Sequence, residues 1–427
     1  MRKFVYTAGL ICISVNITAC ATNAVAVSPQ LYNTKFKLET QNVNSQKVLT
    51  TLIDTQPPPA FNGNPYDIAG LNWSIQPLMF DYLCDYSPFP EKSFRESLLE
   101  SYKLEENILT MKLRKDIKWS DGSPITIEDV ITNYYMQVGR GDFWSYADAI
   151  NILDNNTIQI KYITESPLLL NISFAYPITS PVEQYKDFAI QYKEIIDQHR
   201  ALNSATNTYY LTKEGNEILA NVNKEMLSYK PNPTEVLCSG PYIIKSTTTS
   251  EITFIKNPHY YMQLPFEAIR GLRGGSSEAF ATSILEEQYS LENGGLSPDM
   301  SIKIENLYRD TLRKVYVPEL SQIGYTFNYN NYPLNIPEVR KALCHATNRE
   351  VLLYVAERGS FLSDTKNSGL IPSMVKMYAD EEFYHTLTDY NYDLEQAQNL
   401  LYSIGWSKNE HCSLKPSPPH HSSPVRC

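Results

Sequence analysis

The chain has 427 residues, a formal net charge of −10, and 20% charged against 42% hydrophobic residues. That length is too great for one ordinary core and implies two or three lobes. The acidic balance excludes the basic footprint of a nucleic-acid binder, and the composition excludes wholesale disorder. Tyrosine stands at 31 against 15 Phe and 4 Trp. Its flat apolar face and polar tip suit adaptable binding surfaces, although a compositional drift that also enriches Asn, Ile and Lys accounts for it equally well.

At the N-terminus "MRK" is a positive leader, "FVYTAGLICISVN" an apolar segment, and "ITAC" puts a small residue before Cys20. Phe4 to Ala19 is 16 residues, short of the roughly 20 that cross a bilayer as a helix. Residues 1–19 therefore read as a removed signal peptide. "ITAC" is similar to the lipobox of bacterial lipoproteins, whose cysteine is acylated, so Cys20 is the expected lipid anchor. Residues 20–46 are polar without a sustained period and read as a lipid-anchored tether. Beyond them Cys84, Cys238, Cys344, Cys412 and Cys427 are odd in number and irregularly spaced. Sequence alone cannot pair them; most read as small buried hydrophobes, with no essential disulfide.

"KVLTTLI" reads as a first strand, and the prolines and glycine of "DTQPPPAFNGNPYD" break it. An irregular loop directly after a strand is a common place for ligand contacts. Phe61, Asn62, Asn72 and Trp73 are the candidates there, with rings to stack and amides to satisfy polar groups. Packing between lobes is an equally good role for Phe61 and Trp73.

"LRKDIKWSDGSPITIEDVITNYYMQ", residues 113–137, gathers Asp116, Asp121, Glu128 and Asp129. Carboxylates that close together raise the question of acid/base catalysis. Local structure answers it. "LTMKLR" alternates as a half-buried strand, "IKW" reads as a short strand after a turn, and Asp121-Gly122 as a tight turn. Thr126 reads as a helix N-cap, with Asp129 at the capping-box position.

"NNTIQIKYI" is the next strand, and Pro181 to Tyr229 turns helical. "CSGPYIIKS" and "EITFIKN" are strands, "SEAFATSILEEQYSLENGG" a helix with a glycine stop, and "IGYTFNYNNYP" a strand. "IPEVRKALCHATNREVLLYVAERG" opens with a proline suited to a first helical turn. "YDLEQAQNLLYSIGW" is a helix capped by Asp393 and Gly405. His199, His259, His345 and His385 are dispersed and read as surface or packing residues. No repeat is visible, and the mixture implies α/β or α+β lobes.

Four of these segments, in this order, resemble the family 5 extracellular solute-binding proteins, the peptide-binding and nickel-binding class that serves ABC importers. They are the 113–137 stretch, "CSGPYIIKS…ITFIKNPHYY", "IGYTFNYNNYPLNIPEVRKALCHATNRE" and "YDLEQAQNLLYSIGW". The resemblance implies a type II periplasmic-binding-protein-like fold with two large lobes and a smaller inserted one. Its boundaries are 47–80 for the first part of lobe I, 81–180 for inserted lobe II, 181–275 for the remainder of lobe I and 276–406 for a partial lobe III. It implies a peptide ligand, ABC importer permease subunits as partners, a bilayer reached through acylated Cys20, a monomer and an extracytoplasmic location. No cofactor, metal or nucleic acid is expected, and no catalysis, since no P-loop, H-E-x-x-H or nucleophile motif occurs. A surface peptide sensor or adhesin-like lipoprotein, or a nickel or metallophore receptor, are the alternatives.

The motif resemblance ends at Trp406, and family members normally continue well beyond it. The C-terminal part of the fold is therefore expected to be missing, leaving a partial binder. Residues 407–427, "SKNEHCSLKPSPPHHSSPVRC", form an atypical tail. It reads as unrelated or frame-shifted sequence from about Asn409. A metal tract of His411, Cys412, His420, His421 and Cys427 is the weaker reading, because the spacing matches no closed site.

Overall fold

Two four-stranded sheets, each with its own hydrophobic core, organise the described residues. The computed structural model describes residues 48–273 except 54, 56, 68, 72, 73 and 88–92, then 282, 284, 298–308, 324–355, 362, 365, 366, 379–408 and 414–416. The elements begin with β1 (Val48–Ile53), α1 (Gln76–Met79), β2 (Cys84–Ser87), β3 (Ser93–Glu96), β4 (Leu99–Glu105), β5 (Ile108–Leu113) and α2 (Ile127–Tyr135). They continue with α3 (Phe143–Tyr146), β6 (Ala147–Asp154), β7 (Thr157–Tyr162), α4 (Leu169–Ser173), α5 (Val182–His199), β8 (Arg200–Asn203), β9 (Thr208–Leu211) and α6 (Lys213–Ser228). Strands β10 (Tyr242–Thr247), β11 (Glu251–Lys256) and β12 (Ala268–Arg273) follow. Last come α7 (Pro298–Leu307), α8 (Pro337–Ala346), α9 (Arg349–Val355), α10 (Glu381–Thr386), α11 (Leu394–Ser403), β13 (Trp406–Lys408) and β14 (Leu414–Pro416).

The first sheet has the order β1-β12-β11-β10. β1 runs parallel to β12, with Val48 opposite Ala268, and the other two pairings are antiparallel. A parallel pair needs a long crossover, and here that crossover holds the whole second sheet. Ile53, Phe61, Leu71, Met79, Ile244, Phe254 and Ile269 form the first core. The second sheet, β4-β5-β7-β6, is antiparallel throughout. Leu109, Met111 and Leu113 of β5 and Ile158, Ile160 and Tyr162 of β7 turn inward at every other position, as a pleated strand requires.

Helices α5 and α6 bury their apolar faces, Tyr185, Tyr192, Ile196, Leu219, Val222 and Met226, in this second core. The resemblance implies residues 181–275 as one piece of lobe I. The helical period shows that a stripe exists but not which sheet covers it. Between the two helices β8 and β9 form an antiparallel hairpin, which the sequence reading takes as continuous helical character. Four-residue strands give too few alternations to register.

Three of the clustered carboxylates, Asp116, Asp121 and Asp129, have local structural partners. Asp129 Oδ2 accepts from Thr126 N (2.7 Å) and Oγ1 (2.9 Å), and its Oδ1 accepts from Val182 N (2.8 Å). It thereby caps α2 and ties α5 to it. Asp121 accepts from Ser123 N at 2.9 Å beside Gly122 at φ 93°, and Asp116 pairs with Arg114 at 3.1 Å. "IKW" contributes a single bridge, Lys118 to Pro124.

Farther along, Asp393 Oδ1 accepts from Gln396 N (2.9 Å) to cap α11, and Gly405 at φ 85° follows its end. His345 of α8 is buried with Nδ1 2.9 Å from Asn391 O, a packing role. The strand expected at "IGYTFNYNNYP" is absent from its described residues, 324–333. Tyr325, Tyr329 and Tyr332 are exposed there, and a strand forms only where a neighbour completes its ladder. The helix expected at "SEAFATSILEEQYSLENGG" lies outside the described residues apart from Thr282 and Ile284, both helical. Cys84 and Cys238 are buried free thiols, and burial pushes each up to about 12.

Candidate functional site

The loop after β1 is irregular, so its backbone polar groups need partners outside a regular ladder. Its own asparagines provide many of them. Asn62 Nδ2 donates to Ala60 O (3.1 Å) and Asp67 Oδ2 (2.9 Å), and its Oδ1 accepts from Asn64 N (3.0 Å). Asn64, fully buried, donates to Met226 O (2.8 Å) and Tyr229 O (2.9 Å) and accepts from Tyr66 N (2.9 Å). Gly63 N donates to Pro231 O at 2.8 Å. The loop is thus fastened to the far end of α6.

Of the candidate contacts, Phe61 and Asn62 are 4% and 5% exposed. Phe61 sits in the first core, with the Arg273 guanidinium 5.3 Å from its ring centre. Asn62 holds the loop's turn. Both shape the loop in this geometry, and Asn72 and Trp73 lie outside the described residues.

The group at the loop's edge is one the sequence reading missed. Arg140, just after α2, stacks its guanidinium 4.9 Å from the Tyr66 ring centre, and its Nη1 donates to Tyr66 O at 3.4 Å. Its Nε–H is buried without a hydrogen-bond partner among the described residues. Tyr176 OH donates to Arg140 O at 2.9 Å, and Gly139 at φ 73° turns the chain there. Tyr66 bonds through its hydroxyl to Thr179 Oγ1 (3.0 Å) and Ser180 Oγ and meets Tyr185 edge-on at 5.8 Å. Burial raises the Tyr66 hydroxyl above its ordinary range, so it stays neutral and keeps its proton.

Among the loop's described residues Asp67 is the acid. Burial works to raise its carboxyl, but hydrogen bonds from Ala69 N–H, Asn62 and Lys230, the last at 3.0 Å, hold it below the ordinary value. A half-buried cation flanked by tyrosines can receive a carboxylate or a peptide carbonyl through the exposed part of its guanidinium. "GRGDFW" after an amphipathic helix was the available signal, since a basic residue between two glycines marks a turn that presents a side chain. A separate groove of about 720 Å³ between the β2–β3 hairpin and α4 shares no described lining residue with this loop.

Residues 93–422 match the family model described as bacterial extracellular solute-binding proteins, family 5 Middle. The oligopeptide-binding protein OppA of Lactococcus lactis subsp. lactis is 25% identical over 330 residues, 72% of this chain and 51% of that protein. The chain spans about half the length of the curated relatives it matches. Among solved structures, a periplasmic oligopeptide-binding protein of Thermotoga maritima with bound mannohexaose aligns at a TM-score of 0.61 and 21% identity, over 87% of this chain and 64% of that one. AppA of Bacillus subtilis, in complex with a nonapeptide, aligns at 0.60 and 17%, over 86% and 66%. These likenesses give the type II periplasmic-binding-protein fold. The family match also passes Trp406, and β14 pairs antiparallel with β13 in the segment beyond it. Motifs that lie on β5, α2, β10, β11 and α11, inside a match covering most of the sequence, make this chain a member of the family 5 bacterial extracellular solute-binding proteins.

Proposed function

We propose that the protein is the lipid-anchored receptor of an ABC importer and that its solute is a peptide. The observation that carries the ligand class is the similarity, over about 72% of the chain, to proteins named for oligopeptide binding. The nonapeptide held by a structural neighbour is consistent with it. Lobes close around the ligand by hinge motion, and an extended peptide offers backbone groups that pair as an added strand does. The lobe division belongs to the same proposal, with α5 and α6 moved to the inserted lobe because they share its core. In the loop after β1, Phe61 and Asn62 set the shape; Asn72 and Trp73 of that loop, with Arg140 from the turn after α2, are the ligand contacts of this reading. The receptor binds as a monomer and delivers to the permease subunits.

Calorimetric titration of the mature chain with a mixed peptide library is expected to show binding. Arg140→Gln is expected to weaken it about tenfold or more, by removing a charge-assisted donor. Wild-type protein that ignores every peptide but takes up a nickel chelate would overturn the reading. Uptake of the same peptides, lost on deletion of the gene, separates an importer receptor from a sensor. Acylation at Cys20 has its own expected result: mass spectrometry of detergent-extracted protein shows a diacylated Cys20 at the N-terminus. An unmodified, water-released mature form sinks the anchor.

A further inference from the structure

Among the described residues, the buried core positions pass from one core to the other at two places. Phe80 belongs to the first core and Leu83 to the second, while Met226 belongs to the second and Val236 to the first. Asp81 lies in the first crossing. Its N–H donates to Ser239 Oγ (3.0 Å), its carbonyl accepts from Ile178 N (2.8 Å), and Ser239 Oγ donates to Ile178 O (2.7 Å). Its side chain gathers more. Oδ2 accepts from Tyr260 OH (3.1 Å), Tyr261 OH (3.1 Å) and Ser97 Oγ (3.3 Å). The tyrosines come from "NPHYY", the turn after β11 of the first sheet, and Ser97 lies in the two-residue link from β3 to β4 of the second. One carboxylate oxygen therefore joins both units.

The surrounding charges leave this carboxylate without a cation. Arg95 of β3 pairs with Asp85 of β2 at 2.6 Å. Arg114, after β5, lies 4.7 Å from the Tyr261 ring centre and pairs with Asp116. Lys256 pairs with Glu267 at 2.6 Å, and His259 lies against Gly122 and Asp121. Tyr82 adjoins Asp81 in the chain, and Glu96 of β3 acts on Cys84. Among the described residues no lysine, arginine or histidine forms an ion pair with Asp81.

We infer that Asp81 is a proton-operated clamp between the two sheet-bearing units, fastening their junction when protonated and loosening it when ionised. A neutral carboxyl keeps its hydroxyl partners without a desolvated charge, whereas an ionised one draws water into the crossing. Burial is the main cause that carries this carboxyl from 3.8 up to about 6; the tyrosine hydroxyls pull it down, Asp85 pushes it up, and Ser97 pulls it down. The folded value lies above the unfolded one, so folding takes up a proton between them. Cohesion from this group is therefore full below about pH 4, declines through about pH 6, and stays low above it.

Hydrogen exchange of the Asp81 and Ile178 amides in the full chain reads the junction directly. After correction for intrinsic exchange, their protection is expected to be about tenfold lower at about pH 7.5 than at about pH 4.5. In Asp81→Asn, which keeps an acceptor oxygen but cannot ionise, the difference disappears and protection stays high. In Tyr260→Phe the carboxylate loses a donor that stabilises it, so the midpoint of the wild-type profile moves upward. A purely structural tyrosine would lower protection at every pH without moving the midpoint. A wild-type profile flat across this range, or an Asp81→Asn profile that retains the wild-type difference, overturns the clamp. Should Asp81→Asn fail to fold, the midpoint in Tyr260→Phe decides, and an unmoved midpoint counts against the proposal.

Discussion

Asn64→Leu is expected to lower the stability of the folded chain by about 3–5 kcal/mol at neutral pH. Asn64 is fully buried, and its amide is donor to two backbone carbonyls, Met226 O and Tyr229 O, more than 160 positions away in the chain. Leucine nearly matches its size but offers neither donor, so Tyr229 O loses this partner and Met226 O keeps only the Tyr229 N–H at 3.2 Å, each lost bond costing about 1–3 kcal/mol. Tyr66 N–H loses its acceptor as well, and with it the position of the ring beneath Arg140. Urea unfolding followed by tryptophan fluorescence measures the loss. Asn62→Ala serves as the comparison, because its main partners, Ala60 O and Asp67, lie within the same loop; about 1 kcal/mol is expected there. A loss of under about 1 kcal/mol for Asn64→Leu would mean that the loop is not fastened through this side chain.

Gly240→Ala carries the second large effect, about 3 kcal/mol or more. A Cβ at this position would sit 2.6 Å from Phe80 N and 2.7 Å from the Met79 carbonyl carbon. Both are backbone atoms, which cannot swing aside as a side-chain tip does, so the strand start and the end of α1 must separate. Separation breaks the Gly240 N–H to Met79 O bond of 2.8 Å and displaces the Gly240 carbonyl that accepts from Asn257 Nδ2 at 2.9 Å. It also pulls on the crossing at Phe80 and Asp81, so a lower unfolding midpoint should come with faster exchange there. Gly324→Ala is the control: nothing lies within 4 Å of its added Cβ, and a change within about 0.5 kcal/mol is expected. Equal stability of the two variants refutes the close approach.

Local rules account for what the sequence determined by itself. The alternation of Leu109, Met111 and Leu113, the Thr126–Asp129 cap, the Asp121-Gly122 turn and the Asp393 cap each depend on residues within a few positions. Their hydrogen bonds formed as the residue types dictate. The same local motifs, taken in order, carried the family, because their spacing along the chain encodes the fold's connectivity.

The tertiary structure alone decided the rest. The parallel pairing of β1 with β12 joins segments some two hundred positions apart, and the core that receives α5 and α6 is chosen by shape complementarity between stripes that look alike in sequence. For the candidate site, Phe61 and Asn62 read as ligand contacts because aromatic and amide groups in a loop suit that role. Burial and the partners Arg273, Ala60 and Asp67 give them a structural one. Arg140 reads as one more surface arginine until Tyr66, from a segment more than seventy positions earlier, is brought under its guanidinium. Asp81 likewise looks like any acid beside a strand until two tyrosines and a serine converge on one of its oxygens. Charge, hydrogen bonding and desolvation act through distances of a few ångströms, and for these residues those distances exist only once remote parts of the chain have packed together.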